Sequence, residues 1–165
     1  MPPETDNLQL EELFQEDQKD RERVYETSED VAKLKERDAS RRKRVYMMMD
    51  LGEIRTMKDL YRAAVILQHG HTAPDFLTAH RLATLSAVLG HRTARWLLAA
   101  TLDRYLMAIG QPQVYGTQFE YGAMERRYQL KLPIADTIFL DFEKEMLGVP
   151  SVADRLKQLN AQSKQ

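Results

Sequence analysis

The sequence predicts a mainly α-helical fold, a helical-repeat-like bundle of antiparallel helix pairs with one short β-hairpin near residues 113–132. Three observations carry that expectation. Apolar residues recur at helical spacing through most of the chain. Three such stretches end at Gly70, Gly90 and Gly110, evenly spaced and each suited to follow a helix C-terminus. Beyond Gly110 the apolar period drops to two. With 165 residues, 43% hydrophobic and 30% charged, the chain suits one domain over 1–165, and residues 1–7 and 161–165 are expected to be flexible ends.

Residues 8 to 25 place Leu10, Leu13, Phe14, Val24 and Tyr25 at helical intervals, with acids early and arginines late, as a helix dipole prefers. This reads as the first helix. The stretch from Glu26 to Val45 is nearly all charged and lacks a core face, so it reads as a connector into a second helix ending near Met49, with Gly52 as the stop. Thr56 suits the N-cap of a third helix, whose apolar face Tyr61 to His69 ends at Gly70. Asp75 to Leu89 and Thr93 to Ile109 supply the fourth and fifth helices, and the short connections make neighbours antiparallel. Residues 113–121 and 128–132 alternate large and polar side chains around Gly122, a hairpin that Pro133 ends. An amphipathic stretch from Ile138 to Leu147, a shorter one after Pro150 and a frayed tail complete the reading.

Twenty-four basic residues against 25 acids leave a formal charge of -1, which gives no global reason to expect nucleic acid or an anionic membrane. The absence of cysteine excludes a disulfide frame, a thiol nucleophile and cysteine-ligated metal centres, and fits a reducing, cytoplasmic setting. The first residues carry neither the basic region nor the apolar region of a signal peptide, and no apolar run reaches the roughly 18 residues of a membrane span.

Polar side chains interrupt the apolar stripes at three places. Leu10, Phe14, Asp17 and Arg21 share a face of the first helix, with Gln18 beside them. Tyr61, Ala64, Val65 and Gln68 do so on the third, with His69 adjacent, and Trp96, Ala99, Ala100, Asp103 and Met107 on the fifth, with Arg104 adjacent. A buried charge without a partner costs several kcal/mol, so these groups are expected to meet one another. Tyr115-Gly116-Thr117-Gln118 offers a fourth wall, because its glycine permits close approach and its neighbours carry phenol, hydroxyl and amide. Two readings stay open: a sealed ion-pair network, or a solvent-reachable pocket.

Other signals are weaker. His69 and His71, with Asp75, His80 and His91 nearby in sequence, match no closed ligand set, so no metal and no cofactor is expected. His71 and His91 each follow a glycine where a partly cationic imidazole would meet a helix C-terminus, and His80 suits the interface of a helix pair. The run Arg41-Arg42-Lys43-Arg44 is diluted by nearby acids and reads as a solvated helix face instead of a phosphate-binding patch. Met47-Met48-Met49 reads as packing. There is no phosphate-cradling glycine loop, no Gly-x-Ser-x-Gly elbow and no His-Glu-x-x-His pair.

Gln68-His69, Asp103-Arg104, Gln113-Val114-Tyr115-Gly116-Thr117-Gln118-Phe119, Asp17-Gln18 with Arg21, and Pro133-Ile134-Ala135-Asp136 together resemble the motif set of an uncharacterised bacterial domain-of-unknown-function family. The resemblance implies no activity. The chain departs from that pattern at Met49-Asp50-Leu51-Gly52, where an Asp-Arg-x-Asn element is due, and at Glu143-Lys144-Glu145 before Gly148-Val149-Pro150, where two arginines are due.

The leading functional expectation is a helical binding domain whose groove takes a small polar ligand or peptide segment, with ligand-binding candidates Gln18, Arg21, Gln68, His69, Asp103, Arg104, Tyr115, Thr117 and Gln118. An alternative is a hydrolase or transferase with Asp103 as general base, Arg104 as electrostatic stabiliser and His69 as proton carrier, Asp17 being the other candidate acid or base. A third is a structural or assembly subunit that meets a protein partner through its helix-pair surfaces.

Overall fold

The computed structural model describes residues 5–136 and 140–162. Seven helices and a two-stranded antiparallel hairpin follow one another as α1 (Leu8–Arg21), α2 (Ser28–Asp50), α3 (Met57–Leu67), α4 (Ala73–Val88), α5 (Ala94–Ala108), β1 (Phe119–Gly122), β2 (Arg127–Leu130), α6 (Leu140–Leu147) and α7 (Val152–Gln162). The fold class is the one the sequence predicts. Among the described residues no helix is long and apolar enough to cross a membrane.

Helix α3 is the axis of the core. Its residues from Ala63 through Leu67 are all buried, as expected for a helix enclosed on every side. Leu10 and Leu13 of α1, Val45 and Met48 of α2, and Ala79, Leu82 and Ala83 of α4 close around it, with Leu97 of α5. Helix α4 packs on both α3 and α5, and the buried alanines Ala79, Ala83, Ala94, Ala99 and Ala100 leave no bulk to hold the backbones apart. Of the methionine triplet, Met48 is buried and Met47 is exposed.

Threonine followed three residues later by aspartate marks three helix starts. Thr27, Thr56 and Thr72 accept from the N–H groups of Asp30, Asp59 and Asp75, satisfying donors a helix N-terminus leaves free. Thr56 and Asp59 form a reciprocal capping box, and Ser151 repeats the same spacing with Asp154 before α7.

Four boundaries depart from the sequence reading. The expected connector 26–45 is helical from Ser28, because α2 needs no apolar face there: its inner side is held by Asp38 and Arg41, both buried. Residues 113–118 are not strand but a loop wrapped on α5, and the hairpin starts only at Phe119. Of the N-terminal span expected to be flexible, residues 6 and 7 are tied down, since Asp6 accepts from Thr56 Oγ1 at 2.9 Å and Asn7 N–H donates to Asp59 at 2.9 Å. At the other end α7 carries residues 161 and 162, while Ile138 and the last three residues lie outside the described residues.

The three evenly spaced glycines do not share one reason. Gly90 (φ 104°) and Gly110 (φ 75°) end α4 and α5 in the left-handed conformation. Gly70 has no positive φ; a Cβ there would lie 2.5 Å from Asp75 Cβ, so it serves close approach instead. Gly70→Ala is therefore expected to cost about 1–3 kcal/mol through overpacking, read as a lower urea midpoint. Gly52→Ala, with φ 67° and open space around the new Cβ, should cost about 1–2 kcal/mol from backbone strain alone.

Candidate functional site

The polar side chains of the apolar stripes do not meet in one cluster. They divide between a charged seam joining α1 and α2 and a carboxylate anchor under the hairpin, with Arg104 belonging to neither.

At the seam, Arg41 is only 4% exposed and reaches Asp20 at 2.9 Å and Asp38 at 2.6 Å. Arg21 bonds Asp38 and, at 3.2 Å, Asp17, while Arg37 lies 2.9 Å from Asp20. Asp17 also meets His69 Nδ1 at 3.0 Å and accepts from Gln18 at 2.9 Å. Burial pushes both Asp17 and Asp20 upward, but their partners outweigh it: His69 and Arg21 hold Asp17 below the usual carboxylate range, and Arg37 and Arg41 bring Asp20 to about 2. Arg42 is engaged as well, donating to the His69 carbonyl at 3.2 Å. The arginine run expected as a solvated face is thus, at Arg41 and Arg42, inside the structure.

At the anchor, Asp103 is fully buried and both of its oxygens are occupied twice. Oδ1 accepts from the main-chain N–H of Val114 at 2.7 Å and of Tyr115 at 2.9 Å. Oδ2 accepts from Thr117 N–H at 2.9 Å and Thr117 Oγ1 at 2.7 Å. No lone pair remains to take a proton from a substrate, so the geometry makes Asp103 a fastener for the loop and not a general base. Gln113, buried completely, acts beside it as a spare peptide unit: its amide donates to the carbonyls of Gln118 and Lys131 and accepts from Gln118 N–H at 3.0 Å. Tyr115 and Thr117 contribute main chain and hydroxyl to this anchor; Tyr115's phenol is raised by burial, then by Glu143 and Asp103.

Arg104 follows Asp103 on α5 and points elsewhere. Its Nη1 donates to the Gln68 carbonyl at 3.2 Å, so Gln68 meets it through main chain and not through its amide. Its Nε is buried without any partner. No carboxylate among the described residues pairs with it, and burial followed by repulsion from Arg21 lowers its pKa below the ordinary arginine value. The group stays charged at neutral pH nonetheless.

Arg104 lines a cleft of about 480 Å³. Helices α4 and α5 form one wall with Phe76, Arg104, Met107 and Ala108, and the base of the hairpin forms the other with Gln118, Phe119 and Lys131, while His71 sits at the rim. No acid lines it. Its floor is closed by Gln118, which donates to the Ala100 carbonyl at 3.1 Å. Of the sequence candidates, Arg104 and Gln118 face this cleft; Asp17, Gln18, Arg21 and His69 belong to the seam. Phe76 and Lys131 had no sequence signal beyond their places in a helix and a strand.

The other histidines scatter. His80 Nδ1 lies 3.0 Å from the Leu98 carbonyl, linking α4 to α5. His91 stacks on Tyr61 with centroids 4.3 Å apart, and burial, Arg62 and Lys58 lower its pKa, the reverse of the cationic imidazole its position suggests. Its main-chain N–H, not its ring, meets the end of α4, at the Ser86 carbonyl.

Because Asp17 and Asp20 titrate below their unfolded values, their stabilisation is complete above the unfolded carboxylate pKa of about 4 and is lost as pH falls through the depressed folded values. Melting temperature should accordingly fall steeply between about pH 4 and pH 2, and Asp20→Asn should flatten that slope. Asp103→Asn, which turns an acceptor into a donor facing two other donors, is expected to destabilise by about 3 kcal/mol or more in urea titrations.

No family model matches the chain, and no match is found among curated proteins or solved structures.

Proposed function

We propose that this chain is a helical binding domain whose cleft between the α4–α5 pair and the hairpin takes a small polar ligand through an anionic group, a carboxylate above all. One observation carries the reading: Arg104 is a half-buried guanidinium whose Nε is enclosed without a partner, and no carboxylate among the described residues stands beside it. Partly enclosing a charge without a counter-charge is costly, and an anion bound in the cleft would offset that cost. Lys131 adds to the positive lining, and the planar guanidinium suits a carboxylate held by two parallel bonds. The apolar share of the lining, from Phe76, Met107 and Ala108, suits a ligand with a hydrocarbon body, and the volume fits a small molecule or a few residues of peptide.

A second reading, the hydrolase or transferase, is favoured by the Asp17–His69 contact, where a buried carboxylate orients an imidazole as catalytic dyads do. It keeps His69 as proton carrier, drops Asp103 as general base and gives Asp17 the orienting role. A bell-shaped rate profile abolished in His69→Gln would support it, and hydrolysis or transfer of a bound ligand at equal rates in the two proteins would end it.

The test of binding is thermal unfolding with acetate, succinate and inorganic phosphate as probes. Wild type should melt higher in their presence by an amount that grows with concentration. Arg104→Met should lose that shift while being as stable as wild type or more so, since it removes a half-buried cation that has no counter-charge. A shift that survives in Arg104→Met would refute the assignment of this cleft.

A further inference from the structure

A sheet of two strands has two free edges, and the groups each edge presents follow from the ladder. Lys131 N–H donates to the Gln118 carbonyl at 3.1 Å, so Gln118 and Lys131 form a bonded pair. Alternation along antiparallel strands then makes Glu120–Gln129 and Gly122–Arg127 the next bonded pairs, and turns the main-chain groups of Phe119, Tyr121, Tyr128 and Leu130 outward. The β2 edge confirms that parity. Asn160 of α7 accepts from Tyr128 N–H at 2.7 Å and donates to the Tyr128 carbonyl at 3.2 Å, its amide standing where a third strand would be.

Among the described residues the β1 edge has no such cover. Nothing among the described residues bonds the outward N–H or C=O of Phe119 or Tyr121. One end of this edge opens on the cleft, because Phe119 lines it together with Arg104 and Lys131. At the other end the half-exposed Tyr121 ring meets Tyr128 edge-on at 5.3 Å, an aromatic step beside the edge.

We propose that β1 is a docking edge for an extended peptide segment bearing a carboxylate. The segment adds as a third strand along Phe119–Gly122, and its carboxylate enters the cleft at Arg104. Main-chain bonds would supply affinity, and the cationic end of the groove would select the acidic residue and fix the direction of the strand. This rests on the anionic reading of the cleft and commits it to a peptide instead of a free metabolite.

Hydrogen exchange of the full chain, with amides read one by one, tests it against a pool of random octapeptides with free C-termini. An amidated pool and a pool N-methylated at alternate residues serve as controls. Exchange at Phe119 and Tyr121 should slow by about tenfold with the free-acid pool, less with the amidated pool and not at all with the N-methylated one. Tyr121→Pro removes an outward N–H without breaking the β1–β2 ladder; it should lose the peptide effect and keep the thermal shift given by inorganic phosphate. Unchanged exchange at both amides alongside an intact phosphate shift would overturn the docking edge and leave the anionic cleft standing. Loss of both responses in wild type would overturn the cleft and the edge together. Protection that rises with protein concentration in the absence of peptide would assign the edge to a second copy of this chain, and the peptide proposal would fall.

Discussion

The Asp103 carboxylate decides what happens at the hairpin end of the molecule. Four donors from one short loop converge on its two oxygens. The loop is thereby drawn onto α5, Gln113 locks its two ends, and the hairpin rises beside α4 and α5 with a gap between. The same saturation explains the neighbouring arginine. Arg104 does not take the aspartate next to it, because successive helix residues diverge by about a quarter turn and Asp103 has nothing left to accept with. The cleft and its unmatched cation are both consequences of one fully committed carboxylate.

Much of the scaffold was legible because it rests on local chemistry. Apolar periodicity located α3, α4 and α5, and Thr56 marked its helix start. The same Thr-x-x-Asp spacing at Thr27 and Thr72, and Ser-x-x-Asp at Ser151, was equally visible and would have opened α2 at the right residue. The first half of helix α2 was obscured because its buried residues are Asp38 and Arg41, and the apolar Val45 and Met48 follow only near its end. A hydrophobic pattern cannot report a helix whose inward face is ionic, since its burial depends on partners contributed by another helix.

The candidate site was legible as a set of unusual residues but not as an arrangement. Asp17, Asp103 and Arg104 each stood out for interrupting an apolar stripe, and each is largely removed from solvent. Their partners could not be read from spacing, because Asp17 chose His69, fifty-two positions away, and Asp103 chose main-chain groups that any residue could have supplied. Arg41 was hidden by its company, one of several cations in a row of which only some turn inward. Gly70 shows the same limit: its place in a regular series suggested a helix ending, whereas the Asp75 side chain is what demands it.

The way the hairpin is fastened has a consequence for how the chain can change over evolutionary time. Among the described residues its hydrogen bonds to the helices lie at its root, through Asp103 and Gln118, and along β2, through Asn160, while the turn from Ala123 to Arg126 is exposed throughout. Substitutions in that turn leave the anchoring bonds and the width of the cleft alone. The tip can therefore diversify residue by residue, even between close relatives, while the root must be inherited as a unit.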